Sequence, residues 1–285
     1  MRRAGRALAA VAVVVGLGAG LTAAVPALPA VERGPAPTLA GVTAAVGPHA
    51  VTATAVRRAD VTGFGGGMLF APADTAGGPY GVVTVAPGFR ESAATLAWLG
   101  PRVASRGFVV LLIDTLDPDE FPTARAAELL AAIDWVVADS PVRDRADPAR
   151  AAVLGHSMGG GAALEAALAR PGLRAAIPMA PWDPAADFAG VRVPTLVLAA
   201  ADDTIAPPVE HAERFYASLT APARAYALLP GRDHNFSNAP DDVTAGLVLS
   251  WLGRFLDGDT RYTRLLCRGT LSAAVTSQQD TCPAP

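Results

Sequence analysis

From residue 51 onward, short runs of consecutive apolar residues alternate with longer stretches in which apolar positions recur every three or four residues. The first kind reads as strands buried on both faces, the second as helices with one face on a core. The pattern predicts strands at 51–58, 66–72, 81–87, 108–114, 149–155, 173–179, 194–200 and 224–230. It predicts helices at 94–105, 123–139, 157–170, 207–219 and 241–256. Buried strands separated by helices imply one mostly parallel central sheet flanked by helices, an α/β fold, and the short connection between the first two strands implies an antiparallel start. Residues 31–50, rich in Pro and Gly, read as a lead-in laid over this core.

The first thirty residues break the pattern. Arg2, Arg3 and Arg6 precede an uncharged apolar run from Ala7, and small residues with prolines close it, as in a cleavable secretory signal. An uncleaved membrane anchor is the competing reading; the Ala/Gly richness and the Pro-punctuated end favour cleavage between Ala24 and Ala30. The chain is therefore expected to comprise a signal at 1–30 and one catalytic α/β domain at 31–285, secreted to the extracellular side. Apolar residues at 51% and charged residues at 17% exclude a disordered chain. A formal charge of −3 offers no basic surface for nucleic acid. Every basic side chain is Arg, and no functional meaning attaches to that. The two cysteines, Cys267 and Cys282, stand close together near the C-terminus, which in an exported chain reads as a disulfide and not as a zinc site.

In such a sheet, chemistry sits beyond the carboxyl ends of the strands. There, Gly155-His156-Ser157-Met158-Gly159 matches G-x-S-x-G between a strand and a helix, the context of a nucleophile elbow. The alternative is that Ser157 only caps the helix. A serine nucleophile needs a base and a carboxylate that orients it. His49 precedes the sheet, His156 adjoins the serine on the strand side, and His211 falls in a predicted helix. His234, in a polar loop after the last predicted strand, is the best-placed base. Asp202 and Asp203, after strand 194–200, give the order Ser, Asp, His; adjacent aspartates point differently, and local pattern does not choose between them. Asp114 and Asp233 are weaker candidates with structural roles. The oxyanion donors would be the N–H of Met158 and one from "APGFRES" (86–92), at Phe89 or its neighbour. Only 14 residues separate the strands on either side of Trp182, too few for a helical cap, so the cleft is expected to be open, with Trp182 either holding substrate or packed in the core.

With "GFGGGMLFAP", "GHSMGGG", "AAIPMAPW", "VPTLVLAAADDTIAP" and "WLGRFLDGDTRYTRLLC" in place, the chain resembles the secreted actinobacterial cutinases and polyester hydrolases that degrade poly(ethylene terephthalate), over nearly everything after the signal. The resemblance implies an α/β-hydrolase fold without a cap domain. It implies Ser157 as nucleophile, Asp203 as acid, His234 as base, Phe89 and Met158 as oxyanion donors, and Phe89 and Trp182 as substrate contacts. It also implies a Cys267–Cys282 disulfide, with His211 and Phe215 packing behind Trp182. Departures from the family are Phe89 in place of Tyr, Asn235 after the base, Ala200 and Phe236 where some members carry a second disulfide, and Ala201 and Pro230 where a calcium site would want carboxylates.

The resulting expectation is a monomeric serine esterase with no cofactor and no metal, whose partner is an ester or polyester substrate. No nucleic acid and no membrane anchor after processing are expected. A general lipase, an acyltransferase on the same residues and a non-catalytic binding protein are the alternatives.

Overall fold

In the computed structural model the described residues are 28–75, 77–185, 187–266 and 277–281. Among these residues, nine strands form one sheet: β1 (Val51–Val56), β2 (Gly67–Pro72), β3 (Tyr80–Ala86), β4 (Phe108–Ile113), β5 (Ala146–His156), β6 (Ala175–Met179), β7 (Thr195–Ala200), β8 (Arg224–Leu229) and β9 (Ser277–Asp280). Their order is β1-β2-β4-β3-β5-β6-β7-β8-β9. The six strands from β4 across to β8 pair in parallel, whereas β2 joins β4, β1 joins β2 and β9 joins β8 antiparallel. Edge β9 was not expected from the sequence. Its Ser-Gln-Gln-Asp has no apolar alternation to announce it, and its pairing to β8 is a matter of backbone hydrogen bonds.

Alternate strand residues feed two cores. Val82, Leu111, Val153 and Val197 pack with Leu129, Ala163 and Phe215 from α3 (Pro122–Ala138), α4 (Met158–Ala169) and α5 (Ala212–Ser218). Val83, Val110, Leu154 and Leu196 pack with Leu99, Val103, Val248 and Trp251 from α2 (Leu99–Ala104) and α6 (Asp242–Trp251). The sheet is thus covered on both faces, and its parallel strands carry apolar residues without alternation for that reason.

Several boundaries moved. The expected helix 94–105 splits into a 3-10 turn, Ala93–Leu96, and α2, which begins at Leu99 so that Pro101 falls in its first turn, where a missing N–H costs no bond. The expected helix 207–219 starts only at Ala212, because Pro207–Glu210 form turns, and His211 stands at its N-terminal boundary and not inside it. The last helix passes at Trp251 into a wide π-helical turn, Leu252–Leu256. Within the lead-in, α1 (Leu39–Thr43) is capped by Thr38 Oγ1, which accepts the Gly41 N–H at 3.0 Å, and buries Val42. Among the described residues, no helix is long and apolar enough to cross a membrane.

At the carboxyl end of β5 the chain turns sharply into α4. Ser157 sits in the turn at φ 54°, a left-handed value that only a strongly held non-glycine residue keeps. Its N–H donates to Met179 O at 3.0 Å, and its carbonyl accepts from Gly161 N at 3.0 Å and Trp182 N at 2.9 Å. The flanking glycines allow the approach: a Cβ on Gly155 would fall inside the Gly159 carbonyl, and one on Gly159 would meet the carbonyls of Ala86 and Pro87.

Beside this turn a buried guanidinium joins two loops. Arg125 Nη1 donates to Pro87 O and Gly88 O at 3.1 and 3.0 Å, its Nη2 to Pro118 O at 2.8 Å and its Nε to Glu120 O at 3.0 Å. Next to it the Glu120 and Glu128 carboxyls meet, and Glu128 Oε1 accepts the Leu116 N–H at 2.9 Å. Burial, added to the charge of Glu120, pushes the Glu128 carboxyl from its ordinary 4.5 up to about 8.

Two measurements follow from this architecture. Gly155→Ala or Gly159→Ala forces a Cβ into backbone and is expected to abolish soluble folded protein or lower Tm by well over 5 °C (~2–4 °C per kcal/mol at this size), while Gly172→Ala, with open space around it, leaves Tm within about 2 °C. Between pH 4.5 and about 8 the folded chain keeps a proton on Glu128 that the unfolded chain has released, so this group's contribution to stability falls as pH rises through that window and is flat above it. Glu128→Gln should therefore raise Tm by an amount that grows from pH 5 to pH 8.5; an equal shift at both pH values would contradict the buried acid pair.

Candidate active site

Three loops at the carboxyl end of the sheet bring together residues far apart in the chain. Ser157 Oγ, at the end of β5, lies 2.9 Å from His234 Nε2 in the loop after β8. His234 Nδ1 lies 2.7 Å from Asp203 Oδ2 in the loop after β7. All three residues are buried. Asp203 Oδ1 accepts the N–H groups of Ile205 and Ala206 at 2.9 and 2.8 Å, which fixes the carboxylate plane. A carboxylate can only accept, so Nδ1 of His234 carries the proton and Nε2 is free to accept from the Ser157 hydroxyl. The arrangement can therefore move a proton off Ser157 while Asp203 steadies the charge that develops on the ring.

Of the two adjacent aspartates, Asp203 is the one that lies against His234. Asp202 is exposed, and its N–H donates to Arg232 O at 2.9 Å, tying the β7 and β8 loops together. Arg232 in turn pairs with Asp241 at 2.6 Å at the start of α6. Asp114 Oδ1 accepts from Ala93 N at 2.8 Å, and Asp233 Oδ1 from Asn235 N at 3.0 Å, so both brace loops. Ser157 precedes α4 as its cap residue, yet its side chain makes no capping hydrogen bond and faces His234 instead.

Met158 opens α4, so its N–H is one of the helix's unpaired N-terminal donors, at the end where negative charge is favoured. Phe89 is exposed in the loop after β3, with the Arg90 guanidinium 5.0 Å from its ring centre and Arg90 paired to Asp119. Trp182 is half-buried between two rings, Phe121 at 6.1 Å and His211 at 6.2 Å, and Phe215 lies 5.8 Å behind His211. Burial holds the His211 imidazole below its ordinary pKa, so it packs as a neutral ring. No helix occurs among the described residues between Met179 and Thr195, and the cleft has no cap from that segment. Leu116, Phe121, Ile205 and Val209 are exposed on the loops after β4 and β7.

Other expected residues lie elsewhere. His49 pairs with Asp74 near the start of β3, at the opposite end of the sheet. Ala200 and Phe236, at the positions of the absent second disulfide, are both buried in one apolar cluster. Cys267 and Cys282 lie outside the described residues. Among the described residues, no group of three or more His, Cys, Asp or Glu side chains is arranged to hold a metal ion. Sequence reasoning passed over Phe121, whose place after a strand end was the available signal. It passed over Glu91 and His156 as well, whose pairing at 3.0 Å no local pattern announces.

A family described as "PETase: PET hydrolase-like" matches residues 25–283. A bis(hydroxyethyl) terephthalate hydrolase from Streptomyces coelicolor is 48% identical over 237 residues, covering 83% of this chain and 76% of its own length. Cutinase 2 of Thermobifida cellulosilytica is 45% identical over 258 residues, covering 88% of this chain and 98% of its own. Cutinase cut1 of Thermobifida fusca is likewise 45% identical over 258 residues, with 88% and 80% covered. A match that runs from just inside the N-terminal segment to the last strand takes in all three loops of the site, and the chain belongs to the PET hydrolase-like family of α/β-hydrolases.

Proposed function

We propose that this chain is a secreted serine esterase that hydrolyses carboxylic ester bonds in polyesters such as cutin and poly(ethylene terephthalate), and in short acyl esters, through an acyl-enzyme. The observation that carries the reading is the run of contacts from Ser157 through His234 to Asp203, at 2.9 and 2.7 Å, beside the half-buried Trp182, whose backbone N–H donates to the Ser157 carbonyl. Relatives named as cutinases and as a terephthalate ester hydrolase support the substrate class.

Ser157 Oγ attacks the ester carbonyl carbon as its proton passes to His234 Nε2. The carbonyl oxygen becomes an anion that the N–H groups of Met158 and Phe89 stabilise. His234 returns the proton to the leaving alkoxide, the C–O bond breaks, and the alcohol departs. Water then gives its proton to His234 and attacks the acyl-enzyme; the acid leaves as Ser157 regains its hydrogen. Trp182, Phe89 and the exposed Phe121 and Ile205 would bind the flat or extended acyl chain by apolar contact. Export rests on the signal pattern at 1–30 and agrees with a reading in which the substrate is an external polymer.

Ser157→Ala should reduce hydrolysis of p-nitrophenyl butyrate and of polyester film by about 10⁴-fold or more. Trp182→Ala should impair film hydrolysis several-fold more than p-nitrophenyl acetate hydrolysis; equal losses would remove the polymer-binding role of the indole. Protein recovered from the culture supernatant of a secreting host should begin, by N-terminal sequencing, just after a cleavage point between Ala24 and Ala30.

A further inference from the structure

We propose that Glu91 and His156 act as one positioning unit that locks the Gly88–Phe89 loop to the His234 loop, so that oxyanion donor and base are held in a single frame. The inference rests on the roles read above for Ser157, His234 and Phe89.

Glu91 Oε2 accepts the Gly88 N–H at 2.7 Å and lies 3.0 Å from His156 Nδ1, while its Oε1 accepts from Asn238 Nδ2 at 2.8 Å. On the far side of the ring, His156 Nε2 is 2.8 Å from the carbonyl oxygen of His234 itself. A carbonyl oxygen and a carboxylate both only accept, so each ring nitrogen of His156 faces an acceptor. The ring is 1% exposed and spans from Glu91 on one loop to the His234 backbone on the other. Burial would raise the Glu91 carboxyl, but the donors from His156, Gly88 and Asn238 hold it below the usual glutamate range.

The same loop is clamped by its backbone. Gly88 O accepts from Glu91 N at 3.2 Å and from Arg125 Nη1 at 3.0 Å. In a trans peptide the carbonyl and the following N–H point opposite ways, so holding Gly88 O on the Arg125 side directs the Phe89 N–H to the other. Arg90, next along, is kept at φ 57° while its N–H donates to Pro118 O at 3.0 Å. With Glu91 removed, Gly88 N and His156 Nδ1 lose their shared acceptor, and the ring that meets the His234 carbonyl loses its anchor on the other side. Neither residue touches the reacting atoms in this scheme; each acts through the backbone it holds.

The test compares parent, Glu91→Ala, Glu91→Gln, His156→Ala and the Glu91→Ala/His156→Ala double variant on p-nitrophenyl butyrate, per folded enzyme, with Ser157→Ala as the baseline. Glu91→Ala is expected to lower kcat by about 10- to 100-fold with KM within about threefold. Glu91→Gln, which still accepts from Gly88 N, should recover part of that loss, and the double variant should be no worse than the worse single one. Side-chain ¹⁵N spectra of the parent near pH 7 should show His156 protonated at both nitrogens, and Glu91→Ala should lose that signature. A kcat within twofold of parent in Glu91→Ala, additive losses in the double variant, or a neutral His156 in the parent would each overturn the proposal. If Ser157→Ala kept the parent's activity, the function reading would fall instead, and the ¹⁵N result would still decide the ionic pair.

Discussion

The structure depends on how closely β5 and α4 approach each other at Ser157. The two flanking glycines leave no Cβ between strand, helix and the loop after β3, and the serine is held at φ 54° by bonds to Met179, Gly161 and Trp182. That turn projects one hydroxyl from the carboxyl end of the sheet while leaving the helix N-terminus beside it. Everything else in the site is arranged around this fixed point: β5, β7 and β8 run parallel, so the loops after β7 and β8 leave the sheet at the same end as Ser157 and carry Asp203 and His234.

A second layer is polar and buried, which is costly unless every member has a partner. Arg125 binds four backbone carbonyls across two loops, and Glu91 with His156 joins one of those loops to His234. These groups lie outside the apolar cores, and they link loops that no strand pairing connects. Such a frame gives the site rigidity while the cleft rim remains exposed and apolar. Phe121 and His211 flank Trp182 in that rim, so the indole is constrained from two sides by rings drawn from separate loops.

Eight of the strands and the covered faces were readable in the sequence because a doubly covered parallel strand needs an unbroken apolar run, and that signal is local. The elbow was readable as a five-residue pattern, although only Gly155 answers a demand inside it, from the Gly159 carbonyl; Gly159 makes room for Ala86 and Pro87 of a distant loop. Boundaries were less legible where local and tertiary demands compete. Pro101 shortened one helix, and the turns before Ala212 shortened another, leaving His211 at a helix boundary from which its ring meets Trp182. β9 was invisible because an edge strand of polar residues is specified by the backbone of its neighbour.

By itself, the sequence determined the α/β layering and the place of the Gly-His-Ser-Met-Gly turn between a strand and a helix, since both rest on steric or periodic patterns legible over a few residues. The choice of Asp203 over Asp202 came first from resemblance, and the physical reason appears only in three dimensions: one side chain is buried against His234 and the other faces solvent. The Glu91–His156 pair, the Arg125 junction and the burial that raises Glu128 beside Glu120 were decided by tertiary structure alone. A charged side chain in a sequence looks solvated until the fold removes its water and supplies the partner that must replace it.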